Sequence, residues 1–221
     1  MTLREQLTAA TGKGHLSYSS IKYALGDMQL WEMKMKGEAP YTSDALVFGT
    51  MYDMLLFERD KAMSEYIVLN EGDVLERCQS KTIEAKNPKL TKDYKAKGQT
   101  LTSSADWKTA NDMVERLAVC GLLKKRLTGK YQVEFNEDID GVPLRGFLDC
   151  LGDGFITDSK SSRSVDKFRY DVNSFSYDIQ AYIYTKVFDI KDYYWVVQEK
   201  THPYYPAEIK CSEETLFKGE M

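Results

Sequence analysis

Hydrophobic and polar positions along the chain divide it into alternating helical and extended stretches. Ser17 is placed to cap a helix over Tyr18 to Lys36, where Tyr23, Leu30 and Trp31 recur at helical spacing. Ala45 to Phe57 is apolar nearly all round and predicts a buried helix, with Gly49 allowing close approach of another backbone. EYIVL within Glu65 to Asn70 predicts a short strand. Residues 71–99 are polar and lysine-rich and predict a loop. A helix over about 105–118, capped by Ser103 or Ser104, carries Trp107, Met113 and Leu117. A short helix over Leu122 to Leu127 follows, closed by Gly129. Tyr131 to Phe135 alternates as a strand. Val142 to Leu151 and Phe155 to Lys160 read as two buried arms joined at Gly152-Asp153-Gly154, where glycine reaches positive φ. Helices are predicted over Phe168 to Asn173 and over Asp178 to Val187, the second with Ile179, Tyr182, Ile183 and Val187 inward. Strands follow at Tyr193 to Glu199 and Ala207 to Cys211, then a closing helix from Ser212 that stops after about two turns. The expected architecture is a single α/β domain over 1–221, a mixed central sheet of about five strands flanked by helices.

Composition narrows the class. No run of about 18 apolar residues occurs, so no membrane span is expected, and MTLREQLTAATGKGHLS has no signal-peptide core. Cys78, Cys120, Cys150 and Cys211 are widely separated and none forms C-x-x-C, which points to free thiols in a reducing cytoplasm rather than a zinc or redox pair. The net charge of −4 is not that of a protein that coats DNA electrostatically. Positive charge is local instead, with six lysines from Lys81 to Lys97, either a solvated loop or an arm on DNA phosphates.

Candidate chemistry lies in GVPLRGFLDCLGDGFITDSK, residues 141–160. Strand alternation puts Asp158 and Lys160 on one face, and the hairpin sets Asp149 opposite Thr157 or Asp158. Two carboxylates and an ammonium then converge. Paired buried carboxylates repel each other and lose solvation, and a hard divalent cation relieves both costs. The plain alternative is a surface hairpin with an Asp–Lys ion pair.

G-x-x-D, a short hairpin and D-S-K resemble the active-site signature of PD-(D/E)XK nucleases. Gln180 and Tyr184 form Q-x-x-x-Y, the helix motif of the RecB-like branch. LSYSSIKYA, FGTMYDMLLFE and VVQEKTHPYY resemble further elements, so that residues 16–210 resemble a RecE-type exonuclease domain. The resemblance implies Mg²⁺, with Mn²⁺ also accepted, on Asp149 and Asp158, with Lys160, Gln180 and Tyr184 completing the catalytic group. The family helix carries G-x-x-x-H. Here Asp53 stands at the histidine's place, four after Gly49, as either a harder ligand or an ion-paired carboxylate. A strand glutamate of the family that approaches the metal is matched to Glu134, and Ser161, Ser162 and Arg163 suit phosphate contacts. Further implications are duplex DNA with a free end as substrate, 5′ to 3′ digestion, and a homo-oligomeric ring. A single-strand annealing partner and a phage or prophage setting in a bacterial host are implied too. Family members continue beyond the last helix seen here. The alternatives are a RecB-like nuclease of other polarity, an endonuclease, or a catalytically inactive nucleic-acid-binding or interaction module.

Overall fold

The structure, a computed structural model, describes residues 1–38, 43–69 and 88–220. The elements run α1 (Leu3–Thr11), α2 (Tyr18–Gly26), α3 (Met28–Met35), α4 (Asp44–Phe57), α5 (Arg59–Glu65), β1 (Tyr66–Leu69), α6 (Pro88–Lys95), β2 (Thr100–Ser103), α7 (Ser104–Val119), α8 (Leu122–Arg126), β3 (Lys130–Ile139), β4 (Val142–Leu151), β5 (Ile156–Ser162), α9 (Phe168–Ser174), α10 (Tyr177–Phe188), β6 (Tyr193–Glu199), β7 (Pro206–Lys210) and α11 (Glu213–Glu220). Among the described residues the main sheet has order β3-β4-β5-β6-β7. Only β5 and β6 pair parallel, so the sheet is mixed as expected.

Helices cover both faces of this sheet. Trp195 and Val197 of β6 meet Phe168, Ala181, Ile183 and Tyr184 on one side. Val196 turns to the other side, against Met51, Tyr52 and Leu55 of α4 and Met113 and Leu117 of α7. This alternation is what a strand with a two-residue period delivers, and it explains why YYWVVQE is apolar throughout. A buried polar knot ties the second layer. Tyr52 Oη donates to Gln198 Oε1 at 2.8 Å, and Gln198 Nε2 donates to the Met113 and Tyr204 carbonyls at 2.9 and 3.0 Å. Gln198→Leu should therefore cost about 3 kcal/mol or more, since each polar group stranded without a partner costs ~1–3 kcal/mol. Urea denaturation measures it, and a loss under about 1 kcal/mol would show that the knot is not needed.

Four elements differ from the sequence reading. The helix expected over Tyr18 to Lys36 is broken at Gly26-Asp27. Asp27 is extended there and its Oδ1 accepts from the Gln29 and Leu30 N–H groups at 2.9 and 3.0 Å, starting α3. Part of the expected 71–99 loop is helix α6, with Pro88 at its first turn and Gly98 at φ 72° stopping the chain beyond it. Positions 71–87, including Cys78 and Lys81, lie outside the described residues. Thr100–Ser103, read as the approach to a helix, forms β2 and pairs parallel with β1 in a separate sheet. Finally, β3 is twice the expected length because Asp140-Gly141 makes a tight hairpin with β4, both residues at positive φ (53° and 81°). An Asp-Gly pair favours such a turn because its twist matches that of the strands it joins.

Candidate active site

That hairpin sets the register on which the site is built. Tyr131 pairs with Cys150 and Val133 with Leu148, so Gln132 stands opposite Asp149. Gln132 has φ 49°, a left-handed backbone that costs a non-glycine residue about 1 kcal/mol or more, and the pair is missing from the ladder. The break reverses the strand's sides. Leu148 packs in one core and Cys150 in the other, although in a regular strand they would share a face.

A second irregularity lies on the other edge of β4. Its ladder with β5 is two pairs long, Cys150–Thr157 and Leu151–Ile156, after which the strands part. Asp149 fills the notch: its Oδ2 accepts from the Ser159 N–H at 2.9 Å, a donor that continued pairing would have used. Asp158, 1% exposed, points toward α10, where Gln180 Nε2 donates to its Oδ1 at 2.9 Å. Among the described residues its Oδ2 has the Lys160 ammonium as its one polar partner. Tyr184 Oη donates to the Phe147 carbonyl at 2.9 Å and fastens α10 to β4. Gly146, next to Phe147 on β4, leaves room for the Phe135 ring of β3, because a Cβ there would stand 2.8 Å from that ring.

Burial governs the charges. It pushes the Asp149 carboxyl up to about 7, with the Asp158 charge adding to the rise, while Lys160, the Ser159 N–H and the Gln132 amide oppose it. Asp53, half-buried on α4, is also raised, by burial first and then by Asp149. Burial acts against the Lys160 ammonium, but the Asp158 and Asp149 charges outweigh it and hold the proton. A carboxyl raised in the fold favours folding below its unfolded value near 4, and that stability is lost as pH rises toward 7. With chelator present, Asp149→Asn should accordingly be more stable than wild type at about pH 8, by roughly 1–3 kcal/mol, with little difference near pH 4. Parallel denaturation curves across that range would count against the strain assigned to Asp149.

The expected residues are distributed as follows. Asp149, Asp158, Lys160 and Gln180 meet at the notch. Asp53 comes from the opposite helix layer, close enough for its charge to act on Asp149. Ile183 is buried and Ile179, Tyr182 and Val187 pack against the core as expected, and the buried face extends to Ala181, Gln180 and Tyr184. Gln180 thereby positions Asp158, and Tyr184 positions β4. Glu134 is not at the notch: it is half-exposed and ion-paired with Arg145 at 2.6 Å. Glu134 pairs with Phe147, and the break at Gln132 turns Asp149 away from the face they would otherwise share, so Gln132 holds the place expected of Glu134. The Asp140-Gly141 turn was the signal that could have found Gln132, since it fixes which residue faces Asp149. Ser162 is buried and donates to Asp171 Oδ2 at 3.1 Å, so it faces inward and not toward phosphate. Ser161 is half-buried. Arg163 is exposed beyond β5, near enough to Lys200 for their charges to repel.

The donor set suits a hard divalent cation: carboxylate oxygens, one of them met only by the Lys160 ammonium among the described residues, in a place where the Asp158 charge raises the proton affinity of Asp149. Among the described residues no three His, Cys, Asp or Glu side chains form a ready-made metal cage. The fit is thus of chemistry, with Lys160 resting on Asp158.

Comparison with known proteins agrees with this architecture. A crystal structure of a candidate exonuclease from Eubacterium rectale superposes with a TM-score of 0.65 at 17% identity, covering 98% of this chain and 78% of that one. At that identity the likeness is one of fold. The structure of the protein designated SSO0001 matches with a TM-score of 0.33 at 17% identity, over 78% of this chain and 84% of that one. No curated protein sequence matches. The model of the PDDEXK-like domain of unknown function DUF3799 matches residues 17–214. With nearly the whole chain matched and the D…D-S-K residues gathered in one notch, the protein belongs to the DUF3799 family of PDDEXK-like domains.

Proposed function

We propose that the protein is a metal-dependent deoxyribonuclease, an exonuclease that hydrolyses phosphodiester bonds of linear duplex DNA. The observation that supports this best is the convergence of Asp149, Asp158 and Lys160 where β4 and β5 part. Asp149 and Asp158 would hold Mg²⁺ or Mn²⁺, with Asp53 as a further oxygen donor. When bound, the ion supplies Lewis acidity toward the scissile phosphate and a water of lowered pKa. Lys160, whose ammonium is held charged, stabilises negative charge developing on the phosphate oxygens. Gln180 fixes the Asp158 carboxylate through Oδ1 and leaves Oδ2 to face Lys160. Ser159 and Gln132 do the same for Asp149, and Tyr184 keeps β4 in place.

Digestion from 5′ ends, a ring-shaped oligomer, a single-strand annealing partner and a role in phage-type recombination rest on the likeness to RecE-type domains. Among the described residues no helix is long and apolar enough to cross a membrane. The test uses linear duplex and closed circular plasmid, each with Mg²⁺ and with chelator. Loss of the linear form alone, only with Mg²⁺, is the expected result. Nicking of the circle would make it an endonuclease. Binding without cleavage would make it an inactive module. End-labelled duplex then reads polarity.

A further inference from the structure

A ladder of alternating cations and aromatic rings leads outward from the notch. Lys160 Nζ lies 4.8 Å from the Tyr177 ring centre. The Tyr177 and Phe175 rings are 5.6 Å apart. Lys22 Nζ sits 4.9 Å from Phe175 and 6.0 Å from Tyr23, and Lys34 Nζ caps the far side of Tyr23 at 4.4 Å. The ladder is assembled from four separate parts of the chain: β5, α2, α3 and the segment that runs from the α9–α10 turn into the start of α10. Tyr18 Oη donates to the Phe175 carbonyl and fastens that turn to α2.

Two features of the ladder call for a ligand. Beyond Lys160, which pairs with Asp158, its positive charge has no counter-ion: among the described residues no ion pair includes Lys22 or Lys34. Burial disfavours the Lys22 ammonium, and Lys160 and Lys34 repel it further. Its central ring is open, with Phe175 42% exposed beside the half-buried Lys22. Cations at intervals with a flat apolar face between them match a chain of phosphates with bases between. A duplex hides its base faces within its own stack, so a ring reaches them only where bases are unpaired. We infer that this ladder is a docking track for single-stranded DNA at the mouth of the notch, with phosphates at Lys22 and Lys34 and a base on Phe175. The inference rests on the nuclease reading and specifies that a strand of the duplex end reaches the notch unpaired.

Fluorescence anisotropy with the full chain, in chelator, tests it on a short labelled oligothymidylate and on a blunt duplex. Phe175→Leu, which keeps an apolar side chain without the ring, and Phe175→Ala should weaken oligothymidylate binding about tenfold and leave the duplex unaffected. Lys22→Gln and Lys34→Gln should each lower the slope of log affinity against log salt on the single strand by about 0.7. Melting curves confirm that the variants are folded, and cleavage of linear duplex in Mg²⁺ is read on the same preparations. If wild type cuts DNA but Phe175→Leu binds oligothymidylate as wild type does, the track is overturned and the nuclease reading stands. Lysine effects equal on both DNAs, with none from Phe175, would make the patch a duplex-phosphate surface and overturn the single-strand assignment. If wild type neither cuts nor binds, both readings fall.

Discussion

Asp149→Ala, Asp158→Ala and Lys160→Ala should each lower cleavage of linear duplex DNA by about a thousandfold or more, since each removes a group that would act directly at the scissile phosphate or hold the ion there. Their effects on the metal-free fold should differ in a way the geometry dictates. Among the described residues Lys160 is the one polar partner of Asp158 Oδ2, and Asp158 is 1% exposed. Taking the lysine away leaves a buried carboxylate without compensation, which costs up to about 3–5 kcal/mol unless the group takes up a proton. Asp158→Ala should be milder, because the Lys160 side chain is 17% exposed and its flexible stem can turn the ammonium toward water. Asp149→Ala removes a carboxyl already pushed up to about 7 and should leave stability at neutral pH unchanged or higher. Mg²⁺ should restore part of the stability of Lys160→Ala, because the ion would replace the missing positive charge beside Asp158. Near-normal cleavage by Asp158→Ala in Mg²⁺ would sink the site assignment. Equal loss of stability in all three variants would sink the charge account.

Asp53→Ala should raise the Mg²⁺ concentration needed for cleavage by about tenfold or more and lower the saturated rate less. Asp53 is held near Asp149 by α4, and burial together with the Asp149 charge raises its proton affinity. That strain is what a cation would relieve, so removing Asp53 reduces attraction for the ion before it touches the reacting phosphate. The related motif carries histidine at this position. Asp53→His should therefore retain activity while shifting preference from Mg²⁺ toward Mn²⁺, because imidazole is the softer ligand. Rate against Mg²⁺ is the measurement. If the Asp53→Ala curve overlays wild type, Asp53 is a structural carboxylate and the site rests on Asp149 and Asp158 alone.

Much of this architecture was legible in the chain. Period-two and helical patterns located most elements within a few residues, because burial on one face is a local signal in sequence. Ser17 and Ser103 marked helix starts, and both cap as expected. The D-x-K spacing placed Asp158 and Lys160 on one face of a strand, which alternation alone requires. The misread helix at Gly26-Asp27 was also a local signal, since glycine followed by a capping aspartate is a stop and a start.

What the amino-acid order determined by itself was therefore the set of elements and the identity of the acids and the lysine. Tertiary structure decided how they meet. The early parting of β4 from β5 depends on β5 being held by β6 and β4 by β3, a competition between neighbours far apart in sequence. That the buried side of α10 extends past its apolar residues to take in Gln180 and Tyr184 depends on how the sheet packs against it, which an apolar pattern does not report. Glu134 and Gln132 are two residues apart and would share a face of a regular strand, so only the break at Gln132 settled which of them borders the carboxylates. The ladder from Lys160 to Lys34 joins four segments that share no local pattern. Periodicity reports which face of an element is buried; only packing reports what lies against it.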